Sequence, residues 1–180
     1  MLEDEDSAIL AFLNNFVGRG MAKTHNALLI AAAGAGGTSL KTFASATAIA
    51  AGELEDIVGN DALDNYLDDS GSVSWVMKNS VKWEVMSLLG DNRIYGTTPL
   101  GAGLLGYPAA TTAASGATAA STKSVYFGNW SFVGLREAPS FQFLRDPYSY
   151  EAGIELRYQF RAVYKVLQAE AIGYGVHPAS

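Results

Sequence analysis

There is no cysteine in the 180 residues. That excludes disulfides, thiolate metal sites and a cysteine nucleophile. Histidine is nearly as scarce, with His25 and His177 the whole supply. Each reads as part of a loop, apart from any patterned carboxylate, so neither a hydrolase triad nor a zinc site is expected. Basic residues are outnumbered: 12 Lys and Arg against 18 Asp and Glu give a net charge of −6. A protein whose main task is to grip a phosphate backbone needs the opposite balance. Long apolar runs are also missing. The longest, residues 27–33, falls far short of the roughly 20 residues that span a bilayer. The acidic opening MLEDEDS is unlike the basic start of a secretory segment. What is present is material for a core. Apolar residues make up 49% and aromatics 11%, enough for one domain or one and a half.

The stretch ALLIAAAGAGGTSLKT, residues 27–42, raises the question of a phosphate loop. Such a loop needs its lysine directly after the last glycine, because backbone N–H groups wrap the phosphates and the lysine leaves from there. Lys41 instead follows Leu40, and the nearest upstream glycine is Gly37. The dinucleotide pattern also fails. Gly34 and Gly36 fit its first half, but Ser39 stands where the last glycine belongs. A flexible turn after a short buried strand, residues 28–32, is the plainer reading.

Periodicity sets out the remaining elements. Residues 4–17 read as an amphipathic helix, with Ile9, Phe12, Leu13 and Phe16 at helical spacing, ended by Gly18 and Gly20. Residues 52–69 read as a second helix with a stripe at Leu54, Ile57, Val58, Ala62 and Tyr66, kinked at Gly59. A strand over 72–77 leads to Asn79 as the cap of a third helix. That helix turns Val81, Val85, Leu88 and Leu89 inward and stops at Gly90. Residues 109–122 hold nothing larger than threonine, which predicts a mobile surface loop. Further strands follow. In the last long one, Ile154, Leu156, Tyr158 and Phe160 alternate with Glu155, Arg157, Gln159 and Arg161. The middle of the chain thus suggests an α/β layer, and the C-terminal third antiparallel β.

Two further clusters invite a ligand reading. Asp61, Asp64, Asp68 and Asp69 suggest calcium. Counted from Asp64, the third position is Tyr66 and the sixth is Asp69, so the EF-hand spacing fails and a solvated helix face is expected. Arg157, Arg161 and Lys165 interleave with Tyr158, Phe160 and Tyr164, as in some nucleic-acid surfaces. Period two, however, puts charges and aromatics on opposite faces of the strand. Nothing assembles a nucleophile, a base and an oxyanion hole. No catalytic, cofactor-binding or metal-binding residue is expected.

Several landmarks nevertheless fall in one order: AFLNNFVGRGMAKTHNALLI; then VSWVMKNSVKWEVMSLLGDNRIYG; LLGYPA; SVYFGNWSFVGLRE; and LRDPYSYEAGIELRYQFRAVYKVL. That order resembles the C-terminal two-thirds, roughly, of tailed-phage major capsid proteins with the Hong Kong 97-type fold. The resemblance implies an α+β fold with an axial α/β domain and a peripheral domain bearing a long antiparallel β-ribbon. Residues 1–17 and 137–165 would be peripheral, the end of the spine helix and the ribbon. Residues 18–136 and 166–180 would be axial. Gly106 and Pro108 match the family's Gly-x-Pro. Gly128, Asn129 and Trp130 match its Gly-Asp-aromatic position, with Asn for Asp. The family's N-terminal arm, extended loop and most of the spine helix have no counterpart here. The chain therefore looks like a fragment or truncated product, and is not expected to close a shell alone. The implied function is a structural subunit of an icosahedral phage head that self-assembles around the genome, not an enzyme. Implied partners are other copies, with scaffold, portal or decoration proteins, and packaged DNA held only non-specifically. No membrane or cofactor is implied. The implied location is the virion, after the host cytoplasm. Two alternatives stay open: an encapsulin-type nanocompartment shell, and an α/β nucleotide-binding enzyme using the loop at residues 34–37.

Overall fold

The computed structural model describes residues 2–68, 72–88, 103–138, 142–146 and 155–179. Several expectations lie outside them: the role of Asp69, the inward place of Leu89, the helix stop at Gly90, and Ile154.

The chain opens with one long helix, α1 (Leu2–Gly36). At ~1.5 Å per residue it is about 50 Å long. Gly18 and Gly20 do not end it, and the strand expected at residues 28–32 is helical. Two glycines weaken a helix by roughly 1 kcal/mol each. The downstream half is anchored by packing, since Ile30 and Ala33 are buried with Tyr126 and Ile172. The glycine-rich segment is therefore the last turn of α1. The chain then enters β1 (Thr38–Thr42) and α2 (Ala51–Val58). Glu53 holds the start of α2, accepting from the backbone N–H of Ala50 at 2.7 Å and of Ala44 at 2.6 Å. Gly59 terminates this helix rather than kinking it, donating its N–H to Glu55 O at 2.9 Å. Residues 60–68 form turns and a short 3₁₀ segment, Asp64–Tyr66.

Next come β2 (Val73–Met77) and α3 (Asn79–Ser87), with Lys78 rather than Asn79 in the capping position. Val81 and Val85 face inward as their spacing predicts. The segment 109–122 is not the featureless loop its composition suggests. It contains β3 (Ala109–Thr111), and Ser115 is buried with its hydroxyl on Ser124 O at 2.9 Å. The remaining strands are β4 (Lys123–Asn129), β5 (Val133–Glu137), β6 (Gln142–Asp146), β7 (Glu155–Gln159), β8 (Ala162–Val166) and β9 (Ile172–Val176). The strand expected over 154–161 stops at Gln159 as β7, and after residues 160–161 the chain resumes extended structure as β8.

Five strands form a mixed sheet in the order β1-β9-β4-β2-β3. The two outer pairs are parallel and the central pairings antiparallel. On one face, Leu54 and Ile57 of α2 and Val81 and Val85 of α3 pack with Trp75, Met77, Val125 and Phe127. On the other face, the end of α1 covers Tyr126 and Ile172. The central strand β4 is thus covered on both sides: it is buried from Ser124 to Asn129, with Val125, Tyr126 and Phe127 apolar in succession at its middle. Beyond the sheet, β5 pairs with β8 and β6 with β7, both antiparallel, as a two-stranded ribbon in two sections.

Candidate functional site

The phosphate-loop reading fails on geometry as well as spacing. Gly34 and Gly36 sit at the C-terminal end of α1, where the helix dipole is negative. Phosphate is favoured at the opposite end. The Lys123 ammonium already donates to Gly34 O. Lys41 points to α2, its Nζ 2.6 Å from Asp56 Oδ2. That contact raises its pKa, chiefly through the hydrogen bond. Asp61, Asp64 and Asp68 are exposed, but on turns and the 3₁₀ segment rather than on a helix face.

The two histidines are structural, and neither is in an open loop. His177 is buried, with Nδ1 2.9 Å from Ser45 O and Nε2 2.9 Å from Ser124 Oγ. A carbonyl can only accept, so Nδ1 carries the proton and Nε2 accepts from the serine. A serine beside a histidine has the look of a nucleophile and its base. Here both side chains are sealed in the core and no substrate can reach them. His25 lies within α1 and stitches it to the ribbon. Its ring stacks on Phe160 with centroids 4.9 Å apart. Nδ1 is 2.9 Å from Tyr164 Oη, and Nε2 is 3.6 Å from Glu137 Oε1.

The matched landmarks are turns that hold the sheet together. Leu105 and Gly106 both take positive φ, 51° and 86°. They close a tight turn in which Leu104 and Tyr107 exchange both backbone hydrogen bonds. Pro108 O then receives the N–H of Trp75 at 2.8 Å, and Leu104 O receives its indole N–H at 2.9 Å. At Gly128 φ is 148°, and an added Cβ would stand 2.3 Å from Ala171 O, so glycine is required. The next residue, Asn129, is buried. It accepts from Ser131 N at 3.1 Å and donates to Tyr66 O at 3.0 Å. A carboxylate could make the first bond but not the second. That is the physical reason for Asn at this position.

What remains is surface. Phe12, Phe16, Trp83, Leu135, Val163 and Leu167 are large apolar side chains left in water. Trp83 lies on the side of α3 away from Val81 and Val85, and Val163 alternates with Tyr164; both were legible as outward positions. Arg161 and Lys165 also face outward, while Tyr164 and Phe160 meet His25 of α1. The expected division of charges from aromatics holds for this strand. These features describe a protein with faces, and no cleft gathers reactive groups among the described residues.

The family model described as the phage capsid family matches residues 1–176. The chain belongs to the phage capsid family. Solved structures share its fold. The capsid protein of a native GTA particle aligns with a TM-score of 0.75 at 20% identity, over 94% of this chain and 72% of its own. That of an empty GTA particle gives 0.59 at 23%, over 77% of this chain and 49% of its own. That of Cyanophage P-SCSP1u gives 0.60 at 14%, over 94% and 66%. This family member therefore spans between 49% and 72% of these relatives' lengths. No curated protein matches it in sequence. The α+β fold is that of phage capsid proteins, consistent with the Hong Kong 97-type expectation. Neither the nanocompartment nor the nucleotide-binding alternative is favoured.

Proposed function

We propose that the chain is a structural subunit of a phage head, self-assembling through its faces into the shell that encloses the genome. The observation that carries this is the family match over nearly the whole chain, on a fold whose described surface offers exposed apolar side chains and no reactive cleft. A closed shell repeats a few modest contacts many times, so individual faces can be weak while the assembly is stable. In this reading residues 1–17 and 137–165 act as the peripheral unit and residues 18–136 and 166–180 as the axial unit, with α1 running from one into the other. Self-contacts are the primary partners. Scaffold, portal and decoration proteins and non-specifically held DNA are secondary, the subunit passes through the host cytoplasm before the virion, and it has no catalytic role.

Mass spectrometry of purified virions, with electron microscopy of the protein expressed at its full genomic length, tests the reading. Closed particles containing this sequence are expected. Its absence from virions, with no particles on expression, would overturn the proposal. Calorimetric titration with ATP or GTP and magnesium should show no binding. Micromolar affinity abolished in Lys41→Ala would favour the enzyme instead.

A further inference from the structure

We propose that the outer face of the β5–β8 ribbon is a docking surface for the acidic first turns of α1 from a second copy of this chain. The proposal rests on the shell reading and names one of its contacts. The face is defined by register. Val163 stands opposite Arg136, and Lys165 opposite Gly134. The intervening Tyr164 turns the other way, to His25 on α1. Arg161, Val163 and Lys165 therefore alternate along the uncovered side, with Arg136 beside Val163. Leu167 extends the row by lying over Gly134, its Cδ2 3.2 Å from where a Cβ would be. Val163 is 65% and Leu167 64% exposed. Among the described residues, none of the three cations meets a carboxylate. The face is thus basic with an aliphatic strip.

The complement is present in the same sequence. Glu3, Asp4, Glu5 and Asp6 open α1. Further along the same helix, Phe12 and Phe16 are 69% and 68% exposed. Beyond Phe16 the helix turns basic at Arg19 and Lys23, which confines a contact with cations to the first turns. The lengths agree. Glu5 to Phe16 is about 16 Å of helix, and Arg161 to Leu167 is about 20 Å of extended chain. A chain cannot satisfy its own face. Its α1 lies against the opposite side of the ribbon at His25, and Glu5 is about 30 Å further along the helix axis. A nucleic-acid strand fits less well. Bases stack on aromatics, and here Tyr164 and Phe160 are turned to α1 while aliphatics fill the gaps between cations.

The absence of native cysteine makes the test direct. Chains carrying Ala8→Cys or Phe12→Cys are mixed with chains carrying Val163→Cys and bridged with a short bis-maleimide. A cross-link between unlike chains is expected. Arg136→Glu with Lys165→Glu should lower its yield roughly fivefold, the effect of losing exposed ion pairs. Adding Glu3→Lys and Glu5→Lys to the partner chain should restore it. Near-UV circular dichroism confirms that each variant is folded. No cross-link from either position, or a yield indifferent to charge reversal, overturns the proposal. So does binding of a DNA oligonucleotide through Arg136 and Lys165 in place of the cross-link. Normal particles without the cross-link would sink this contact alone. The cross-link, with no closed particles from the protein at its full genomic length, would sink the shell reading alone.

Discussion

His177 shows how one side chain can join distant parts of a chain. Its imidazole ties the end of β9 to Ser124 on β4 and to Ser45 beyond β1, and its ring lies 4.7 Å from that of Phe43. Removing the ring leaves a hydroxyl and a carbonyl unpaired beside a new cavity. We expect His177→Ala to lose about 2–4 kcal/mol of stability and Ser124→Ala about 1 kcal/mol, read from urea denaturation. These partners are 53 and 132 residues away, so no local pattern could have announced them. Tyr126 supplies a pH dependence. Burial, with a smaller contribution from Tyr174, raises its phenol above the ordinary value of 10.0. As pH passes that value the unfolded chain sheds this proton first while the folded chain retains it, so stability falls as pH rises. The urea midpoint should drop as pH rises through 10.0, and Tyr126→Phe should flatten the fall.

At the scale of elements, α1 is the clearest case of packing overruling local preference. Gly18 and Gly20 are poor helix residues, and an added Cβ at either would meet nothing within 4 Å. Gly18→Ala and Gly20→Ala should each add about 0.5–1 kcal/mol. Slower amide exchange around residues 14–24 would register the gain. The segment 109–122 makes the opposite point. Its small side chains give little burial, yet hydroxyls tie the backbone down: Thr122 bonds Ala117 O at 2.7 Å, and Thr118 bonds the Glu84 carboxylate. Elastase should therefore spare this segment in the folded chain. First cleavage inside it, mapped by mass spectrometry, would contradict these bonds.

For the whole molecule, stability rests on the face of the sheet that α2 and α3 cover. Trp75 is fully buried there, tilted over Phe127 at 4.3 Å, with its N–H on Leu104 O. Truncation removes the largest side chain of the core and takes away one of the two donors on Leu104 O, leaving only the Tyr107 N–H. Trp75→Ala should lose about 3–5 kcal/mol, a large part of what a domain of this kind has to spare. Equilibrium unfolding in urea measures it. The shell reading asks nothing more of this core than rigidity; recognition belongs to the exposed row along β8 and the exposed stripe of α1.

Local periodicity by itself determined β2, the inward valines of α3, the antiparallel C-terminal third and the opposed faces of charge and aromatics on the ribbon. Each depends on which residues a single element must hide, and period two or 3.6 records that directly. The ordered landmarks pointed further, to the capsid family. Tertiary structure alone decided that α1 runs unbroken through its glycines, that the expected long strand stops at Gln159, and that β1 lies parallel to β9 from the far end of the chain. Those outcomes are set by contacts between residues remote in sequence, such as His25 on Phe160 and Ala33 against Ile172. A local pattern states what must be buried; it does not name the partner that buries it.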